Sequence, residues 1–334
     1  MSELVFILTD FFAAVPSEPR AALPRLPALE SLLARSRRAA LATDWRAWLA
    51  ARTASAAVRA LTAAATVAAA WPESSTAQRQ SGQYWLATPV HYFAGLDSVH
   101  LHPAGLLQLD ADEQRQLSED FARVFADSPW SLRGLGQREL LLWGPRGQAG
   151  ADPARFAGSD PSAGLPRGAD AATLRGLGAE IEMWLHEHAL NHERARRGLL
   201  PVTALWLWGG GLPAASSMPA STAPLPRLYG RDTYAEALWR LRAAAAAPLP
   251  AQLDPAQLDA RADSVFLYPM MAPDGLSAAF AQFESRWLSR ALGLLRAGGC
   301  SALQLLIGTR AYRLRRWDAG RFWRGRVPWW ESLA

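Results

Sequence analysis

The chain contains no lysine; all 35 of its basic residues are arginine. With the excess of alanine, this is the mark of a GC-rich coding sequence rather than of a function. A single cysteine, Cys300, excludes an intramolecular disulfide and a thiolate metal cluster. Within GGCSALQLLIG it reads as a structural thiol at the start of a buried strand. The opening MSELVFILTD lacks a basic region, and its apolar run is too short for a secretory signal. The alanine-rich tract 54–70 is broken by Arg59 and threonines, and is too short and too weakly apolar to span a bilayer. A cytoplasmic location with no membrane partner is therefore expected. The formal charge of +5 permits phosphate-bearing ligands but does not demand nucleic acid.

What is present supports a large core. The chain has 334 residues, half of them hydrophobic, enough for one large domain or a core with a smaller insert. Residues 3–9 read as a buried first strand ending at Asp10. Helical periodicity follows Pro27, and Thr43-Asp44 precedes an alanine-rich helix, or a broken pair, running to Trp71-Pro72. YWLATPVHY, SVHLH and RELLLWG read as strands, with a helix near Glu113–Phe125. After Ala171 come a helix ending near Arg197, a strand Ala204–Trp208, a helix capped by Asp232, a strand Asp263–Tyr268, a helix Ser277–Ala297 and a strand Ser301–Ile307. YRLRRW pairs with the last as a hairpin. This alternation predicts an α/β fold with a mainly parallel sheet sandwiched by helices. The core would comprise 1–80 and 171–334, and 81–170 a smaller inserted α+β cap subdomain. Its loop 144–170, rich in glycine, proline and aspartate, would be flexible, either mobile or a lid.

The stretch Trp184–Gly211, WLHEHALNHERARRGLLPVTALWLWGGG, joins the most non-structural choices. His188, Asn191 and Arg194 recur every three residues on one side of a helix end. Gly209, Gly210 and Gly211 end a strand without Cβ atoms, so a ligand or another chain can approach closely. Strand ends of this kind are where α/β proteins place ligands. The six residues are candidate contacts for an anionic small molecule. The alternative is structural: a core strand and turn, with Gly198 as an ordinary helix C-cap.

The run HxLNxxRxxxGLxPVxxLWLWGGG resembles the signature of the RpfE-type regulatory proteins, as do the strand ending in Asp10, the WLATPVHYFAGLDSVHLHPAGLL block and DSVFLYPMMAPD. That family is similar to the archaeal type of cofactor-independent phosphoglycerate mutase, in the alkaline-phosphatase superfamily. The resemblance implies an alkaline-phosphatase-like core and a regulatory role with an unknown protein partner. It also implies a catalytic arrangement of two divalent metals, with Asp10 at the first ligand position, Thr43 beside Asp44 as nucleophile, and Asp274 in MMAPDGL.

The departures are large. After Asp274 the chain reads GLSAAF, without the family's histidine, and LLIGTRAYRL ends with no Asp-His pair. Two neighbouring cations repel each other and need several carboxylates and imidazoles to hold them. No metal or other cofactor is therefore expected, and Asp10, Thr43 and Asp274 read as vestigial. The alternative is an active metal-dependent mutase or phosphatase using manganese or zinc. The histidines lie elsewhere: His91, His100, His102, His186, His188 and His192. His100 and His102 share a strand face near His91, a set that can bind zinc or simply form a polar face. Finally, YRLRRWDAGRFWRGRVPWW mixes arginine with tryptophan. That pattern suits single-stranded nucleic acid, but equally a ribbon with alternate residues packed inward and arginines in water. The ribbon is the expected reading, so nucleic acid is not an expected partner.

Overall fold

A computed structural model describes residues 2–11, 23–72, 82–95, 98–148, 150–167, 171–214, 221–259, 261–270, 276–321 and 323–333. The chain forms two compact units. The first comprises 1–53, 222–231 and 245–334, and the second 54–221 and 232–244.

In the first unit, β1 (Glu3–Thr9) is buried along its whole length. A strand covered on both faces must be apolar throughout, which is what LVFIL supplies. It pairs in parallel with β9 (Ser264–Pro269) and β10 (Ala302–Ile307), and β8 (Arg227–Tyr229) extends the sheet in parallel beyond β9. On the other side β11 (Arg310–Arg315) runs antiparallel to β10, and β2 (Arg37–Ala40) antiparallel to β11. The order is β2-β11-β10-β1-β9-β8. Phe6, Phe266, Phe283 and Trp287 pack ring against ring on one face. α1 (Pro27–Arg35), α9 (Leu276–Phe283), α10 (Ser289–Ala297) and α11 (Trp329–Leu333) contribute residues to this core. A π turn over Glu284–Leu288 separates α9 from α10. It presents Glu284 to the start of α1, where Leu26 provides no cap; the carboxylate accepts from the Ala28 and Leu29 amides at 2.6 and 2.9 Å. Burial pushes the Glu284 carboxyl up, against the lowering effect of those two amides. α2 (Trp45–Thr53) begins at Asp44, whose Oδ1 accepts from the Arg46 and Ala47 amides.

In the second unit the alanine-rich tract breaks into α3 (Ala56–Arg59) and α4 (Ala63–Ala70), capped by Ser55 and Thr62. The sheet centres on β3 (Gln83–Ala94), which pairs antiparallel with β4 (Val99–Leu106), β6 (Leu140–Gly144) and β7 (Ala204–Gly211); β5 (Ser131–Arg133) pairs with β6. Period-two alternation in β7 sends Leu205 and Leu207 into a core with α5 (Ala111–Val124) and α6 (Ala171–His186), and Trp206 and Trp208 to the opposite face. α7 (Ala189–Arg196) precedes β7, and α8 (Thr233–Arg240), capped by Asp232, packs near α4.

The structure is thus mixed α/β, and the sheet of the first unit, expected to be mainly parallel, has a parallel centre with the antiparallel β11 and β2 at one edge. Four adjacent strands of one sheet are parallel, and the pairings of the other are antiparallel. β7, expected in the core of 1–80 and 171–334, belongs to the unit that holds most of 81–170. A helix leading into an apolar strand reads the same in either setting, because alternation does not specify the pairing partner. Described parts of 144–170 hydrogen-bond to β4 and β7. The Gly150 amide donates to Leu207 O, Trp206 Nε1 to Ala151 O, and the Gly158 amide to Leu101 O. Among the described residues no helix is long and apolar enough to cross a membrane.

Candidate functional site

The exit of β1 carries a backbone anomaly. Asp10 has φ +59°, a left-handed conformation that costs most side chains about 1–2 kcal/mol and that aspartate tolerates better than most. Just before it, Thr9 Oγ1 donates to Tyr268 O at 3.4 Å. Thr43 is exposed and follows β2. The register aligns Leu8, Ile307, Arg310 and Ala40 in one row across the sheet. Three strand spacings, about 14 Å, therefore separate β1 from β2. Asp10 and Thr43 lie beyond the same end of the sheet but are not neighbours in it. Asp44, the aspartate beside Thr43, caps α2. Asp274 lies outside the described residues.

His188, Asn191 and Arg194 are brought together, around the α6–β7 connection of the second unit. His188 breaks the helix into α6 and α7, because its Nδ1 accepts from the Leu190 amide at 3.1 Å and so caps α7. Its Nε2 stands 3.1 Å from Asp120 Oδ2, close enough for an ion pair but poorly aligned for a hydrogen bond. Burial holds the imidazole below its ordinary range, and Asp120 opposes that shift. Asn191 clamps the turn: its Nδ2 donates to Leu185 O and Val202 O at 2.7 and 2.8 Å, and its Oδ1 accepts from the Val202 amide at 2.7 Å. Arg194 is 3% exposed. Its Nε donates to Leu200 O at 2.8 Å, and its Nη1 to both oxygens of Glu113 at 2.9 Å. Gly198, at φ +68°, ends the helix. These contacts account for the i, i+3, i+6 polar spacing without a ligand.

The glycines lie at the other end of β7. Ala204 and Gly209 are five residues apart on this strand, about 17 Å at strand rise, so the six predicted contacts do not form one pocket. Gly209 has φ +66°, and a Cβ there would stand 3.1 Å from Ala63 Cβ; a Cβ on Gly211 would collide with Thr62 Oγ1. The close approach found at Gly209 and Gly211 is that of the α4 start. Gly210 is half-buried between them.

Two other clusters remain in this unit. His91, Phe93, His100 and His102 form a ring patch on β3 and β4, with the His91–His102 and Phe93–His100 centroids 5.7 and 5.6 Å apart. His91 Nδ1 donates to Pro201 O at 3.0 Å, whereas His102 Nδ1 accepts from the Ala104 amide at 3.1 Å. The neutral rings therefore expose different Nε2 tautomers, a lone pair on His91 and an N–H on His102. Among the described residues no group of three or more histidine, cysteine, aspartate or glutamate side chains is placed to hold a metal ion. The second cluster is an open depression of about 380 Å³ lined by Asp120, Arg123, Val124, Met183, Trp184, Glu187, His188 and Ala189. Val124 and Met183 are 59% and 69% exposed. Of the six predicted ligand contacts, only His188 borders it.

Sequence reasoning missed Glu113 and Asp120. The D-x-x-E spacing of Asp110 and Glu113 marks a capping box, and both of its bonds are present. Glu113's second role, pairing with Arg194, has no local signal. Cys300 is buried, which pushes its thiol up to about 11, as a structural thiol requires.

No family model matches the chain. Over 102 residues it is 29% identical to the "Probable 2,3-bisphosphoglycerate-independent phosphoglycerate mutase" of Geobacter sulfurreducens; the match spans 30% of this chain and 26% of that protein. Among solved structures, it is similar to the cofactor-independent phosphoglycerate mutase of Thermoplasma acidophilum, at 14% identity and a TM-score of 0.37, covering 94% of this chain and 90% of that one. It is also similar to the PH0037 protein of Pyrococcus horikoshii, at 11% identity and a TM-score of 0.39, covering 93% and 86%.

Proposed function

We propose that the chain is an RpfE-type regulatory protein: a phosphoglycerate-mutase-like scaffold that acts by binding, with its two-metal chemistry lost. One observation carries this reading. All six histidines lie between 91 and 192, in the second unit, so the unit that holds Asp10 has no imidazole at all. A pair of borderline cations is held by carboxylates and imidazoles together. Asp10 at the strand exit, with Thr43 about three strand spacings away, does not fit such a pair, whether of manganese or of zinc. In this reading the ligand is an anionic small molecule or a protein partner, received at the depression beside His188, where the exposed Arg123 guanidinium, paired with Asp120, would exchange that partner for the ligand.

The test is metal analysis of the purified protein combined with turnover of 3-phosphoglycerate in the presence of manganese. Substoichiometric metal and no turnover are expected. Stoichiometric manganese or zinc, with turnover abolished by Asp10→Ala, would instead establish a divergent metal-dependent mutase or phosphatase.

A further inference from the structure

Residues 310–326 carry seven arginines against a single acid, Asp318, and so hold more net positive charge than the whole chain. The first part behaves as the expected ribbon: in β11, Tyr312 and Leu314 pack into the core of the first unit. The rest departs from that expectation. Trp317 is 90% exposed and Trp323 69%, so neither indole packs inward. Asp318 is buried and engaged by Arg321 at 2.7 Å, which leaves the outer surface of the segment basic.

The strand register concentrates this charge. Arg37 on β2 sits directly across from Arg313 on β11, a like-charge pairing that disfavours the sheet. Glu3 offsets one member, accepting from Arg313 Nε at 2.9 Å, while Arg37 is exposed. Arg315 follows two residues on, on the same face as Arg313. Arg324 donates to Ala34 O and Ser36 O, both at 3.4 Å, beside the start of β2. The end of β11, the start of β2 and the segment after Trp317 therefore meet at one corner of the sheet.

We propose that this corner binds single-stranded nucleic acid, with guanidinium groups on the phosphates and Trp317 as a stacking platform for a base. A planar guanidinium matches phosphate in a bidentate way, and base–indole stacking is tolerant of sequence. A bilayer is the poorer fit: interfacial anchoring uses the continuous apolar face of an amphipathic helix, whereas these indoles stand on turns.

The test is fluorescence anisotropy of a labelled oligothymidylate with the full chain across a salt series. Binding that weakens steeply with salt is expected. Trp317→Ala should weaken it about ten-fold, with Trp317→Phe retaining most of the affinity. Arg315→Gln with Arg324→Gln should make the salt dependence shallower by about one to two units of slope. Thermal unfolding of Trp317→Ala should match the parent, because the ring is in water. No binding, unchanged affinity in Trp317→Ala, or equal affinity for a duplex would each overturn the proposal. Binding to phosphatidylserine vesicles but not to the oligonucleotide would assign the corner to a membrane instead.

Discussion

The exit of β1 and the α6–β7 connection both present polar residues at spacings that suggest chemistry, yet they differ in what those residues touch. In the connection, His188, Asn191 and Arg194 are each engaged by groups of their own unit: an amide, a turn and a buried carboxylate. At the β1 exit, Asp10 sits in a left-handed backbone conformation, and the Thr43 hydroxyl expected beside it follows β2, three strands away in the sheet. Polar residues repeated along one side of a helix end can be a clamp whose side chains are spent on backbone groups and a carboxylate. Backbone strain is the more common mark of a functional or formerly functional position.

The sharpest way to break this comparison is Arg194→Ala. If Arg194 is structural, its loss leaves the buried Glu113 carboxylate with the Asp110 amide at 2.9 Å and, as its remaining cation, Arg197 at 3.3 Å, and stability should fall by about 3–5 kcal/mol in denaturant unfolding. A normally stable variant that has lost affinity for an anionic ligand would restore the binding role. Next, Asn191→Ala removes three hydrogen bonds at the α7–β7 turn and should cost about 2–3 kcal/mol. Asn191→Asp should not rescue it, since a carboxylate would face the Leu185 and Val202 carbonyls. At the β1 exit, Asp10→Gly should be about 1 kcal/mol more stable than Asp10→Ala, because only the backbone preference differs between the two. Equal stabilities would mean that the left-handed conformation carries no strain.

The smallest effect is expected for His188. Its pKa is lowered in the folded chain, so the unfolded state binds the proton first. Stability from this group is complete above the unfolded value of about 6.5 and falls as the pH drops through that value towards the folded one. His188→Asn keeps an N-cap but cannot titrate. It should flatten this part of the stability–pH profile, which equilibrium unfolding between neutral and mildly acidic pH would read. His91, also lowered mainly by burial, contributes with the same sign, so the difference between parent and variant is the quantity to compare.

Much of the local structure was legible from pattern. The continuous apolar run LVFIL marked β1, Pro27 the start of α1, Asp232 the cap of α8, and the two apolar segments flanking Gly308 the β10–β11 hairpin. β2 was not legible: RRAA is fully exposed and exists as a strand only because β11 offers it an edge. The sheet to which β7 belongs was equally hidden. The alternation LWLW fixes which residues share a face but not which strand lies alongside. The candidate site divided in the same way. A helix ending at Gly198 could be read locally, but the Glu113–Arg194 pair spans 81 residues.

The sequence by itself determined the elements and their caps, the engagement of Asp44 and Gly198 as helix punctuation, and the lack of imidazole in the segments that make up the first unit. These depend on near neighbours along the chain or on composition. Only the tertiary structure decided that the conspicuous polar triplet closes a turn, that Gly209 and Gly211 admit α4, and that Trp317 stands in water among arginines. Each of those outcomes depends on which distant segment fills the space beside a residue, and side-chain periodicity carries no information about that segment.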